Sequence, residues 1–139
     1  MSQSPKLLYS FSIQTNSKVQ FLNIDRLVRQ AVQSSQVQEG ICIVFVPHTT
    51  AGLTINENAD PDVVRDIIME TNKFVPFQDG YEHSEGNSSA HIKSSLFGPS
   101  LTLILTGGEI VLGTWQSIFF CDFDGPRSRR FYVKIFPDC

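Results

Sequence analysis

Apolar and polar positions alternate along residues 7–13, where Tyr9, Phe11 and Ile13 interleave with Ser10, Ser12 and Gln14. That period of two predicts a strand with one buried face. The period then changes. Ile24, Leu27, Val28, Ala31 and Val32 recur at helical spacing, which predicts an amphipathic helix capped by Asn23 or Asp25. Residues 41–46 are apolar throughout and bounded by Gly40 and Pro47, which predicts a central strand covered on both sides. A second helix is predicted from Asp60-Pro61, with a buried stripe of Val63, Val64, Ile67, Ile68, Thr71 and Val75. Residues 77–87 are irregular and polar, and a short helix over 88–96 follows.

The last third alternates again. Leu101, Leu103 and Leu105 precede Gly107-Gly108, a pair suited to a hairpin turn because both glycines tolerate positive φ. Further strands are predicted over 117–123 and 129–136, joined through Asp124-Gly125-Pro126. The pattern gives one α+β domain over residues 1–139. Its core is sheet-rich, mostly antiparallel or mixed and sandwich-like, with two main helices and a short third.

Composition narrows the function. Eleven cationic and fourteen anionic side chains leave a formal charge of −3, without a basic run. This offers no general attraction for nucleic acid or an anionic membrane. No apolar run approaches a membrane span, and residues 1–6 carry no signal-peptide pattern. The three cysteines have no paired spacing. Cys42 and Cys121 lie in apolar runs and read as buried small hydrophobes, while Cys139 is the last residue. Together these predict a cytoplasmic protein in a reducing compartment.

All three histidines fall in two polar stretches. His48 begins His48-Thr49-Thr50-Ala51-Gly52, and His83 and His91 bracket Ser84-Glu85-Gly86-Asn87-Ser88-Ser89-Ala90. Three imidazoles with carboxylates nearby suit one metal site or one acid–base centre. No zinc motif of fixed spacing is present, so both readings stand. Glu57 and Glu85 are the candidate oxygen ligands or bases, whereas Asp60 reads as a helix cap. Asn87 and Ser88 at the start of the short helix resemble a phosphate cradle, with Lys93 as a further anion contact. Trp115 reads first as a packing residue and second as a stacking face. Arg129 falls at the margin of the buried face of the last strand and Arg130 on the wetter face. Arg129 pairs there either with phosphate or with Asp122 or Asp124.

Several of these pieces together resemble the YjbQ-like family, often labelled secondary thiamine-phosphate synthase enzymes. They are His48-Thr49, Asn56-Glu57-Asn58 with Asp60-Pro61, Tyr81-Glu82-His83, Glu85-Gly86, His91-Ile92-Lys93-Ser94-Ser95, Gly113-Thr114-Trp115-Gln116 and Ser128-Arg129-Arg130. The resemblance implies a compact homotrimer whose histidines line a common pocket, with a divalent metal, zinc or magnesium. It implies that a pyrimidine diphosphate is joined to a thiazole phosphate, with release of pyrophosphate. His48, Glu57, His83 and His91 would be catalytic. His48, His83 and His91, with Glu57 or Glu85, would hold the metal. Thr49, Asn87, Ser88, Lys93, Trp115, Arg129 and Arg130 would bind the phosphorylated substrate. One departure is visible: Ser88-Ser89 stand where an acidic residue often precedes the His-Ile-Lys motif. A metal-dependent phosphate-ester hydrolase and a non-catalytic metabolite- or metal-binding protein are the alternatives.

Overall fold

The computed structural model describes residues 6–139. The reading of residues 1–6 as free of a signal pattern therefore falls almost wholly outside the described residues. The chain runs β1 (Leu8–Gln14), β2 (Gln20–Asn23), α1 (Asp25–Ser35), β3 (Gly40–Phe45), β4 (Ala51–Glu57), α2 (Pro61–Phe74), α3 (Ser88–Phe97), β5 (Ser100–Thr106), β6 (Glu109–Ile110), β7 (Gln116–Asp122) and β8 (Ser128–Pro137). The strands form a five-stranded sheet, β1-β8-β3-β5-β6, and a three-stranded sheet, β2-β7-β4. Every pairing is antiparallel.

The main core lies between the two sheets and α1. Val28 and Val32 of α1 meet Cys42 and Val44 of β3, Leu53 of β4, Phe120 of β7 and Phe131, Val133 and Ile135 of β8. Phe11 stacks on Phe131 with ring centroids 5.2 Å apart. Fully burying one such side chain contributes about 1.5–3 kcal/mol. A smaller cluster on the other face of the three-stranded sheet gathers Ala90 and Phe97 of α3, Val64 of α2, and Phe119, Cys121 and Phe123.

Three local expectations change. The central strand is covered on one face only: Ile41 and Phe45 are 39% and 43% exposed, because α1 and the second sheet both pack on the inner side. The α2 stripe is half-buried at Val63, Val64, Ile67 and Ile68, since only one edge of that helix reaches the smaller cluster. The N-cap position of α1 falls on Ile24, and Asn23, one residue earlier, accepts the Asp25 amide at 2.9 Å through Oδ1, whereas Asp25 does not cap the helix. Asp25 instead accepts the Ile118 amide at 2.7 Å and ties α1 to β7. Asp60 does cap α2, accepting the Asp62 amide at 2.9 Å behind Pro61.

Helix α3 is fixed to β4 at close range. Ser94 Oγ donates to the Ala51 carbonyl at 2.7 Å, and the Leu53 amide donates to the Gly98 carbonyl at 3.0 Å. Gly52 permits this approach, because a Cβ there would stand 2.9 Å from the Gly98 carbonyl oxygen. The contact sets the helix carrying His91 against the strand that follows His48. Among the described residues, no helix is long and apolar enough to cross a membrane.

Candidate functional site

His48 lies just beyond β3, where that strand parts from β8. The β3–β8 register ends at Phe45 opposite Tyr132. Two residues back along β8, the Arg130 amide, left without a strand partner on that side, donates to His48 Nε2 at 2.9 Å. A lone pair on Nε2 puts the proton of the neutral ring on Nδ1. Burial, and then the positive charge of Arg129, hold the His48 pKa below its usual value.

A cleft of about 440 Å³ opens beside this ring. Its lining includes His48, Thr49, His83, Glu85, Asn87 and His91. The loop before α3 brings His83 against His91, the rings edge-to-face at 5.3 Å between centroids. His83 Nε2 lies 4.0 Å from Glu85 Oε1. The three histidines, 43 residues apart at the extremes, thus share one concavity. A roomier depression of about 550 Å³ lies between the end of α1 and the 107–109 turn, but its lining includes no histidine.

Four further residues line or brace the cleft and were not singled out as site residues: Thr50, Asp122, Asp124 and Arg127. Asp122 and Arg129 form a buried pair, with Arg129 Nη2 2.7 Å from Oδ1 and Nε 3.1 Å from Oδ2. Thr50 Oγ1 accepts from Arg129 Nη2 at 2.8 Å, and Thr15 Oγ1 donates to Asp122 Oδ2 at 2.7 Å. The Arg129 fork is therefore occupied by a carboxylate of its own chain, which corrects its assignment as a phosphate clamp. The signal was in the sequence: Asp122 ends an apolar strand, and Arg129 has the inward parity of β8.

Other predicted residues are elsewhere. Arg130 contributes its backbone amide, and its side chain is exposed on the outer sheet face. Lys93 is 1% exposed, with Nζ bonded to Asn72 and 4.5 Å from the Phe77 ring centroid. It is two residues from His91, about 200° round the helix, and so faces away from the cleft. Ser88 borders a neighbouring depression with Tyr81 and Ile92 that shares His83 and His91. Glu57 ends β4 opposite Gln116, at the other end of the strand from Ala51. With about 3.3 Å per residue, that strand carries it roughly 20 Å from Ala51, and Glu57 does not line the histidine cleft. Trp115 joins it there, the Asn58 amide donating to the Trp115 carbonyl at 3.1 Å. Its ring is 63% exposed, neither core nor cleft wall, because it occupies the turn before β7.

The metal set inferred from the resemblance does not fit this arrangement. No group of three His, Cys, Asp or Glu is placed to hold an ion among the described residues. His48 has its Nε2 lone pair engaged by an amide, and Glu57 is remote. Cys42 and Cys121 are buried as predicted and Cys139 is exposed, all as free thiols. Burial pushes the Cys42 thiol up to about 11, so it is inert as a nucleophile or ligand.

The family described as "UPF0047 protein YjbQ-like" matches residues 9–138. A UPF0047 protein of Methanocaldococcus jannaschii is 51% identical over 133 residues, covering 96% of each chain. The UPF0047 protein YugU of Bacillus subtilis is 42% identical over 130 residues, covering 93% of this chain and 98% of its own. The crystal structure of a YjbQ/UPF0047-family protein from Clostridium acetobutylicum superposes with a TM-score of 0.91. It is 52% identical and covers 92% of this chain and 99% of its own. By fold and by sequence along almost its whole length, the chain belongs to the YjbQ-like UPF0047 family.

Proposed function

We propose that this chain is an enzyme that acts on a phosphorylated small molecule held in the histidine cleft. The proposed reaction joins a pyrimidine diphosphate to a thiazole phosphate. The observation that carries the reading is the convergence of His48, His83 and His91 on one concavity of about 440 Å³. Its hydrogen-bond donors suit phosphate oxygens. They are the His48 Nδ1–H, the exposed guanidinium of Arg127 and the first-turn amides of α3, whose N-cap Asn87 makes no side-chain cap.

In the transfer, the thiazole nitrogen forms a bond to the pyrimidine methylene carbon as the carbon–oxygen bond to pyrophosphate breaks. The departing oxygens take the electron pair, and donors fixed around them stabilise that charge. His83 and His91, side by side, supply a proton to the leaving group. The test is product formation from the two precursors by the purified chain. Thiamine phosphate should appear with the wild type. It should be lost in a His83→Ala/His91→Ala variant that melts at the wild-type temperature. No product, together with no binding of pyrophosphate, overturns the reading. Release of phosphate from simple esters in its place would assign the cleft to hydrolysis.

The outward face of the five-stranded sheet supports the homotrimer that the resemblance implies. Ile41 lies in register between Ile104 and Phe136, and all three are exposed. An apolar sheet face without a covering layer favours association. Light scattering should give the mass of three chains, and the mass of one chain would sink this part of the proposal.

A further inference from the structure

Residues 76–86 carry His83 and Glu85 to the cleft between the end of α2 and the start of α3. Among the described residues, no hydrogen bond ties residues 77–86 to a strand or a helix. The bonds that form stay inside the loop. The Tyr81 hydroxyl donates to the Pro76 carbonyl at 2.6 Å, and the Gly86 amide donates to the His83 carbonyl at 3.3 Å. Two ring contacts lead out of it instead. At the cleft, His83 meets His91. At the base of the loop, just past the end of α2, Phe77 lies under two ammonium groups. Lys93 Nζ is 4.5 Å and Lys18 Nζ 5.3 Å from its ring centroid.

Lys93 is the costly member of this base. It is 1% exposed, on the face of α3 away from His91, and forms no ion pair with a carboxylate among the described residues. Its ammonium donates to Asn72 Oδ1 near the end of α2. Burial, and then the charge of Lys18, hold its pKa below the usual value. The Asn72 oxygen and the Phe77 ring are the contacts that favour the charge, and a cation over an aromatic face is held more strongly out of water. An apolar side chain of similar length would fill the same space without desolvating a charge. What the ammonium adds is connection. One group on α3 grips both the end of α2 and the residue from which the loop departs toward His83.

We propose that Lys93 is a positioning residue: through Phe77, its ammonium fixes the base of the 76–86 loop and so sets His83 against His91 at the cleft. Lys93 itself touches no substrate. The inference stands on the loop's geometry, and only its effect on affinity rests on the phosphate-binding reading.

The experiment compares the wild type with Lys93→Met, Phe77→Leu and Phe77→Tyr by imidazole NMR and by calorimetric titration with pyrophosphate. In Lys93→Met the His83 and His91 ring protons should lose the mutual ring-current shift of an edge-to-face pair, while the His48 ring protons stay in place. Phe77→Leu should do the same, and Phe77→Tyr, which keeps the aromatic face, should match the wild type. Pyrophosphate should bind about tenfold more weakly to Lys93→Met and to Phe77→Leu, the scale of one hydrogen bond to a charged group. The double variant should lose no more than either single one, because both break the same contact. His83 and His91 resonances that stay in place in folded Lys93→Met or in Phe77→Leu overturn the inference. Equal movement of all three histidines also overturns it, since a merely structural lysine would disturb His48 as well. Phe77→Leu changes a half-buried loop side chain and decides the matter if Lys93→Met does not fold. A wild type that binds no pyrophosphate overturns the phosphate reading, and the ring spectra then decide the positioning role alone.

Discussion

Asp122→Asn is expected to lower the stability of the chain by about 3–5 kcal/mol, the cost of leaving a buried charge without its counter-ion. The side chains of Arg129 and Asp122 are 3% and 0% exposed, so water cannot replace the lost carboxylate. The amide that replaces the carboxylate keeps one oxygen, so either Thr15 or the Asp124 amide, each with one Arg129 N–H, is left facing an NH2 group. The melting temperature should fall by roughly 10–15 °C for a domain of this size. A double variant, Asp122→Leu with Arg129→Met, should recover most of the loss, because it removes both charges. The effect is pH-dependent. Burial alone would raise the Asp122 carboxyl, but hydrogen bonds from Arg129, the Asp124 amide and Thr15 outweigh it and hold the pKa below the usual carboxylate value. A carboxyl depressed in the folded state contributes stability in full above its unfolded value, about 3.9. That contribution disappears as the pH falls through the folded value. Chemical denaturation of wild type and Asp122→Asn should therefore differ most near neutrality and converge in strong acid. A difference under about 1 kcal/mol at pH 7 would show the pair to be dispensable.

The pair also shows what could be read from the residues beforehand. Parity along β8 puts Arg129 on the inner face, where phosphate, Asp122 and Asp124 are its candidate partners. Choosing between chain and phosphate required knowing that β7 ends beside β8, which no local pattern carries. The histidine cleft was legible for a similar reason. Polar stretches in an apolar chain have few places to go, and strand ends collect them. Glu57 and Trp115 lie away from the cleft because β4 carries one to its far end and pairs it there with β7, which follows the other. Ala51-Gly52-Leu53-Thr54-Ile55-Asn56-Glu57 has two small residues and a weak alternation, so proximity in sequence passed for proximity in space. A strand separates its ends by design of its rise, and seven residues suffice to move Glu57 out of the site. Lys93 was decipherable in principle, since helical phase alone opposes it to His91. The uncovered outer face of β3 was not. A run such as Ile41-Cys42-Ile43-Val44-Phe45 looks the same whether its second face meets a helix or another copy of the chain.

In the proposed transfer reaction, His48→Ala is expected to cut turnover by about 10²-fold or more, the usual cost of removing one positioned proton-bearing group. The fold should survive, because the ring is only partly buried and its one hydrogen bond closes the end of a ladder held along β3 and β8. The direction of the His48 shift makes a second, independent measurement decisive. Burial comes first among its causes and the Arg129 charge second, and together they outweigh the raising effect of the Asp122 carboxylate. Nitrogen-15 spectra at pH 7 should show Nε2 bare and Nδ1 protonated, with a titration midpoint under about 6.5. Because the folded value lies below the unfolded one, the unfolded chain takes up the proton first as the pH falls. The wild type should then lose stability relative to His48→Ala on acidification through about pH 6.5, and the gap should stop widening once the folded ring is itself protonated. A midpoint above 6.5, or a proton found on Nε2, would mean that the Arg130 amide does not set the tautomer. His48 would then be free to act as a base or a ligand through the nitrogen assigned here to the backbone.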